Sequence, residues 1–239
     1  MNQGIFTAVI LLLISYGNLA FAQTHLPNKY GLNVVKDITI LKQQINLDSN
    51  KRLVELNDKI PGITLDIKYT TKDNFTKKKL YPPIKTTFLR KPAADSLLKI
   101  VSYLKTMGLG IKIFDAYRPY SVTEKMWEVV PDDRYAADPA KGSGHNRGAS
   151  IDLTLTDLAT KKELPMPTGY DDFNEKAHQG YTQLPEEIIK NRETLKSVME
   201  LFGFTALKTE WWHFYLPNSS YYELMDLSFG ELNKMNSND

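Results

Sequence analysis

Ser143-Gly-His-Asn-Arg-Gly-Ala-Ser-Ile-Asp-Leu-Thr-Leu155 joins a glycine-rich loop to a strand. Glycines on both sides of the histidine let the loop backbone come close to a ligand. After the loop, apolar and polar residues alternate, which is the period-two pattern of a strand. Because Asp152 lies on the opposite face from Ile151, Leu153 and Leu155, we predict that it faces a cleft or a second layer.

A second informative stretch, Glu210-Trp-Trp-His213, lies near the other end of the chain. The two stretches together supply two imidazoles and two carboxylates. A catalytic zinc ion takes three protein ligands, keeps a fourth position open for water and needs a base nearby. His145, Asp152 and His213 are therefore candidate zinc ligands, and Glu210 is the candidate base.

Spacing alone leaves this assignment open. Glu175-Lys-Ala-His178 has the same E-x-x-H spacing as the second stretch and could hold a metal equally well. In a regular strand, residues three apart face opposite sides, so Glu210 and His213 can address one ion only if Glu210 lies in a bend or beside a bulge. The tryptophans that follow Glu210 form an apolar wall, which should raise the pKa of its carboxyl.

Composition excludes several classes of function. The 239 residues carry 30 Lys and Arg against 28 Asp and Glu, a net charge of +2, and the short basic run at 77–79 is typical of a solvated turn. Nucleic acid is therefore not an expected partner. The chain has no cysteine, which excludes disulfides and thiolate chemistry, so stability must come from apolar burial and the metal.

Residues 1–22 are typical of a secretory signal peptide, with an uncharged apolar run that ends in Ala-Phe-Ala before Gln23. The run at 5–14 is too short to span a bilayer, and no cysteine follows it that could carry a lipid, so we expect no stable membrane anchor. We predict a single domain over 23–239, an exported protein, and a polar tail that frays after about residue 230. The sequence does not indicate an oligomeric state.

Periodicity predicts an α+β fold, with a small, largely antiparallel sheet, helices packed on it and the metal on the open face of the sheet. The expected strands cover 63–69, 111–115 and the segments that carry Asp152 and His213. The expected helices cover 91–107, 121–130 and 185–202; Gly108 and Gly203 end two of them, and a capping box from Ser121 to Glu124 opens another.

These motifs resemble those of the D-Ala-D-Ala dipeptidases, a family of zinc peptidases related to zinc D,D-carboxypeptidases. The family patterns S-x-H-x-x-G-x-x-x-D and E-x-x-H match at Ser143 to Asp152 and Glu210 to His213. Three further stretches are similar to the same family and begin at Leu65, Asp115 and Gly169. The resemblance favours His213 over His178 as the third ligand, and it leaves His178 as a structural residue or one that supports a ligand.

The resemblance also implies roles that the residues alone do not establish. Arg118 would stabilise the transition state, which suits a permanently charged guanidinium fork beside a metal. Asp171 would hold the free amino terminus of the dipeptide, and Ser143 would contact the substrate. Both residues could instead be turn residues.

The expected function is that of an exported zinc dipeptidase, with one zinc per chain, that hydrolyses D-Ala-D-Ala to two D-Ala outside the cytoplasm. One alternative is a D,D-carboxypeptidase that trims peptidoglycan stem peptides. Another is a module that binds cell-wall peptides without cutting them. A carboxylate that binds a free amine favours the dipeptidase, and the pair Glu210 and Arg118 argues against pure binding.

Overall fold

The computed structural model describes residues 27–57 and 60–237. The predicted signal peptide lies outside these residues. The helices are α1 Ile38–Leu47, α2 Lys91–Thr106, α3 Tyr120–Val129, α4 Glu186–Leu201 and α5 Phe229–Asn236. The strands are β1 Val34–Val35, β2 Leu53–Asn57, β3 Ile63–Leu65, β4 Thr86–Arg90, β5 Leu109–Asp115, β6 Ser150–Asp157, β7 Thr205–Ala206, β8 His213–Tyr215 and β9 Leu224–Met225.

The central sheet has five strands in the order β3-β5-β6-β8-β7. Only the β3–β5 pairing among them is parallel; the other neighbours run antiparallel. Strands β2 and β4 form a separate antiparallel pair, and β1 and β9 a parallel one. The predicted α+β class with a small, largely antiparallel sheet is confirmed for the described residues.

Helices α2 and α4 pack against each other and against the central sheet. The seven positions from Ser150 to Thr156 in β6 are all buried, so this strand is covered on both faces. Its apolar residues join the main core, while Asp152 and Thr154 lie on the opposite face. Within the described ranges, no helix is long and apolar enough to cross a membrane.

The two long helices were predicted almost to the residue. Helix α2 ends one residue before Met107, and Gly108 follows with φ 72°, in the left-handed region that glycine enters most easily. Helix α4 lies within the predicted span 185–202, and Gly203 again follows with φ 93°. Strong apolar periodicity followed by glycine is a local signal, which explains this accuracy.

Two local predictions are wrong. The strand expected over 63–69 ends at Leu65, because the chain then turns into a short 3-10 helix, Lys68–Thr70, that buries Tyr69. The capping box does not form either: α3 begins at Tyr120, and the Ser121 amide donates instead to Asp226, 105 residues away. A tertiary partner thus replaces the local one.

The prediction of a frayed tail after residue 230 is also wrong up to Asn236. Helix α5 opens with a capping box between Ser228 and Glu231 and buries Phe229, Leu232 and Met235. The Phe229 ring packs against three core rings, those of Tyr81, Phe88 and Tyr117. The polar composition hid an amphipathic helix, since every third residue is apolar and faces the core.

Candidate metal centre and active site

The register of the central sheet places three polar residues side by side. Asp152 in β6 is paired with His213 in β8 on one side and with Asp115 in β5 on the other. Paired residues on neighbouring strands project to the same face of a sheet. A bulge between Ile113 and Asp115 shifts the β5 register by one residue, so Asp115 reaches the face that carries Asp152.

The glycine-rich loop delivers His145 to the same place. Gly148 ends the short 3-10 helix His145–Arg147 with φ 66°. The loop also passes so close to β6 that a Cβ on Gly144 would lie 2.0 Å from the Ser150 hydroxyl. The His145 Nδ1 lies 2.7 Å from the Ala116 carbonyl oxygen and donates to it, so the lone pair of the imidazole is on Nε2.

The three predicted ligands converge. The His145 Nε2 lies 3.2 Å from the His213 Nδ1, and each nitrogen has an Asp152 oxygen within reach, at 3.4 Å and 2.9 Å respectively. One donor atom from each residue falls within 4.8 Å of the others. Burial opposes the charged form of Asp152, but His145 and His213 together hold the pKa of this carboxyl well below its usual range.

Glu210 lies at the start of a turn, before β8 begins, so the alternating faces of a regular strand do not apply to it. Glu210 and His213 can therefore address the same site. Residues 211 and 212 form the turn, and the His213 amide donates to the Glu210 carbonyl across it. A Glu210 carboxylate oxygen lies 4.0 Å from the His213 Nδ1. Burial raises the pKa of Glu210 to about 7, although the nearby charges of His213 and Arg118 lower it. Trp211 and Trp212 are both buried in the core.

Arg118 enters the site from the segment after β5. Its Nε and Nη2 both donate to one oxygen of Asp115, at 2.9 and 2.8 Å, and Nη2 lies 4.0 Å from Asp152. Its backbone is tied to the glycine-rich loop, because the Arg118 amide donates to the His145 carbonyl and its carbonyl accepts from Asn146. The guanidinium is therefore held rigidly beside the three convergent side chains.

A cavity of about 540 Å³ opens over this cluster. It is lined by Arg118, His145, Asp152, Glu210 and His213 and, among others, by Ser143, Asp171, Phe75, Phe173 and Trp212. The structure thus brings all seven predicted site residues to one cavity. A small ligand in this cavity could contact both charged groups and aromatic rings.

Asp171 and Ser143 differ in how their side chains are engaged. The Asp171 backbone is left-handed, with φ 57°, and its carboxylate accepts from the Tyr69 hydroxyl at 3.1 Å. Burial raises the pKa of Asp171 well above its usual range, and the Asp152 charge adds to the effect. The Ser143 hydroxyl accepts from the His145 amide at 3.2 Å, a turn contact that also shapes the loop.

His178 lies elsewhere. It lines a separate open cavity with Glu175, and its carbonyl accepts from Arg192. Among the described residues, the convergent set of metal-binding side chains contains His145 and His213 but not His178. The competing E-x-x-H segment therefore does not join the cluster on β6 and β8.

Sequence reasoning missed three partners of the site. Asp115 neutralises Arg118, and Tyr170 and Tyr69 contact the carboxylates of Asp152 and Asp171. Asp115 had a signal, since it ends a predicted strand three residues before Arg118. The two tyrosines had none, because their contacts depend on long-range packing.

Comparisons with known proteins show the family of the chain. The family Peptidase_M15, described as D-ala-D-ala dipeptidase, matches residues 49–229. A D-alanyl-D-alanine dipeptidase of Escherichia coli (strain K12) is 35% identical over 179 residues, 75% of this chain and 92% of that protein. One of Enterococcus faecium is 31% identical over 189 residues, 70% of this chain and 92% of that protein.

Among solved structures, an LD-carboxypeptidase shares 15% identity with a TM-score of 0.38, and the match covers 59% of this chain and 67% of that one. A TM-score this low does not establish a shared fold. The family match spans most of the chain and includes both histidine motifs, the arginine segment and the segment of Asp171. On this basis, the chain belongs to the Peptidase_M15 family of D-Ala-D-Ala dipeptidases.

Proposed function

We propose that this protein is an exported zinc peptidase that hydrolyses D-Ala-D-Ala to two D-Ala. The observation that carries the proposal is the convergence of His145, Asp152 and His213 beneath a cavity that also holds Glu210 and Arg118. The names and the 29–35% identity of the dipeptidase relatives support the substrate.

The residues at the cluster fit one zinc ion on the face of the sheet that carries Asp152. Two imidazoles and one carboxylate are a donor set that zinc accepts in catalytic sites. The Ala116 carbonyl fixes the His145 tautomer so that Nε2 is available. Arg118 does not oppose a cation, because the buried Asp115 carboxylate neutralises it at 2.8 Å.

When bound, zinc would polarise the scissile carbonyl and lower the pKa of a water molecule. Glu210 accepts the proton of the attacking water and later returns it to the leaving amine. Burial raises its pKa toward the range in which a general base works best, and the charge of a bound zinc ion would lower it again. Arg118 hydrogen-bonds the oxyanion of the tetrahedral intermediate and is preorganised for this by Asp115.

Asp171 and Ser143 supply the proposed recognition of the substrate. The half-buried Asp171 carboxylate lines the cavity and would pair with the free ammonium of a dipeptide, whereas a stem peptide has no amine at that position. The Ser143 hydroxyl lies on the same cavity and can contact the peptide. The aromatic rings of Phe173 and Trp212 also line the cavity and would pack against the methyl side chains of the dipeptide.

The test is release of D-Ala from D-Ala-D-Ala and from a stem pentapeptide, each with and without a zinc chelator. We expect fast release from the dipeptide, slow release from the pentapeptide, and loss of both with chelator. Faster release from the pentapeptide would favour the carboxypeptidase. Binding of either peptide without release would favour a recognition module, and release that persists after complete zinc removal contradicts the proposed chemistry.

A further inference from the structure

Two tyrosine hydroxyls connect the site's carboxylates. The Tyr170 hydroxyl lies 2.9 Å from the Asp152 Oδ2 and 3.1 Å from the Tyr69 hydroxyl. The Tyr69 hydroxyl in turn lies 3.1 Å from the Asp171 Oδ2. No role in the proposed mechanism falls to either tyrosine, yet Tyr170 touches a residue that would bind the metal.

Counting protons fixes the direction of these contacts. Each hydroxyl has one proton, so two hydroxyls can supply only two of the three contacts. A carboxylate is a stronger acceptor than a hydroxyl oxygen, because the hydrogen bond to an anion is charge-assisted. Tyr170 therefore donates to Asp152, and Tyr69 donates to Asp171.

The Tyr170 ring is held on several sides, so its hydroxyl has little freedom to move. The ring packs 4.8 Å from Phe114 and 5.5 Å from Trp212, measured between centroids, and 6.2 Å from Tyr69. A phenylalanine at this position would keep these ring contacts. It would delete only the hydrogen bond to Asp152.

We propose that Tyr170 is a positioning residue that orients Asp152 for the metal ion. The hydroxyl bonds Oδ2, while Oδ1 lies 2.9 Å from the His213 Nδ1. Partners of this kind hold a ligating carboxylate in one orientation before the ion arrives, and their loss weakens metal binding by about 10- to 100-fold. The inference rests on the metal site of the proposed function, but it concerns affinity for the ion and not turnover.

Zinc affinity of the Tyr170→Phe variant, measured by competition with a chromogenic chelator, tests this. We expect zinc to bind about 10- to 100-fold more weakly than in the wild type. Tyr120→Phe is the matched control, because the Tyr120 hydroxyl also donates a hydrogen bond, but to the Pro139 carbonyl, and neither of these two residues lines the cavity. That variant should bind zinc as tightly as the wild type. Thermal unfolding of the metal-free proteins checks that both variants fold.

Tyr69→Phe tests whether the effect requires the direct hydrogen bond to Asp152 or follows from the loss of either tyrosine hydroxyl. It leaves the direct bond from Tyr170 to Asp152, so its zinc affinity should stay near that of the wild type. If Tyr69→Phe weakens zinc binding as much as Tyr170→Phe, or if Tyr170→Phe binds zinc as tightly as wild type, the positioning role is overturned. A wild-type protein that binds no zinc would instead remove the proposed function itself.

Discussion

Three histidines lie within the described residues, and the structure separates them by position. The His145 Nε2 lies 3.2 Å from the His213 Nδ1, whereas His178 lines another cavity. We therefore expect His145→Ala and His213→Ala each to lose the single zinc and the activity, while His178→Ala keeps both. Elemental analysis of the purified variants measures this. Zinc retained in His213→Ala and lost in His178→Ala would reverse the assignment.

The chemical role of Glu210 can be separated from metal binding. Its carboxylate lies 4.0 Å from the His213 Nδ1, and the structure does not place it in the convergent ligand set. Glu210→Ala should therefore keep zinc and fold but lower kcat by roughly 10²-fold or more, as for a lost acid-base group. Glu200→Ala, an exposed change in α4, is the matched control. A Glu210 variant with near-normal kcat would rule out the proposed base.

Asp171 gives a prediction about substrate charge. If this carboxylate binds the ammonium group, N-acetyl-D-Ala-D-Ala should be a poor substrate, because acetylation removes the charge. A hydrogen bond to a charged group contributes about 1.5–3 kcal/mol, so Asp171→Asn should lower kcat/KM for the free dipeptide roughly 10- to 100-fold. Asp172→Asn, the exposed neighbour, should change little. Equal rates on free and acetylated dipeptide would support the carboxypeptidase instead.

At the level of whole elements, the sequence predicted what local patterns determine. Helices α2 and α4 were foreseen because apolar periodicity and a following glycine are both local signals. The convergent residues on β6 and β8 were predicted, and so was a bend or a bulge at Glu210. The sequence did not show which of the two forms, and it did not show the β5 bulge that turns Asp115 toward the site, because that bulge depends on strand register. The same holds for Tyr170, whose partner Asp152 is 18 residues away.

Helix α5 is one of the elements that the sequence failed to predict, and its contribution to stability can be measured. Leu232 is completely buried in α5, whereas Leu201 at the end of α4 is 65% exposed. Leu232→Ala should therefore lower the free energy of unfolding by about 2–5 kcal/mol, and Leu201→Ala by no more than about 0.5 kcal/mol. Urea unfolding of both variants decides the matter. If the two variants are equally stable, burial of Leu232 in α5 does not stabilise the fold.

For the molecule as a whole, the central sheet joins distant segments into one site. Asp115, Asp152 and His213 are brought together by three strands, while the loop of His145 and the segment of Arg118 hydrogen-bond to each other. The site is therefore a property of the assembled fold, and its parts depend on one another. In our proposal, the residues that orient the ligands increase the affinity of the site for the ion.

The site says nothing about where the protein works, and here we propose export on the pattern of residues 1–22. D-Ala-D-Ala is made and used in the cytoplasm, so an exported enzyme would reach only dipeptide released from the wall or present in the surroundings. Such an enzyme would let the cell recycle this dipeptide or use it as a nutrient. It would give little protection against glycopeptide antibiotics. We expect the mature protein to begin at or near Gln23, as read by N-terminal sequencing, and activity to fractionate outside the cytoplasm. Uncleaved, active protein in the cytosol would contradict export. It would instead favour a role in depleting the cytoplasmic pool of D-Ala-D-Ala.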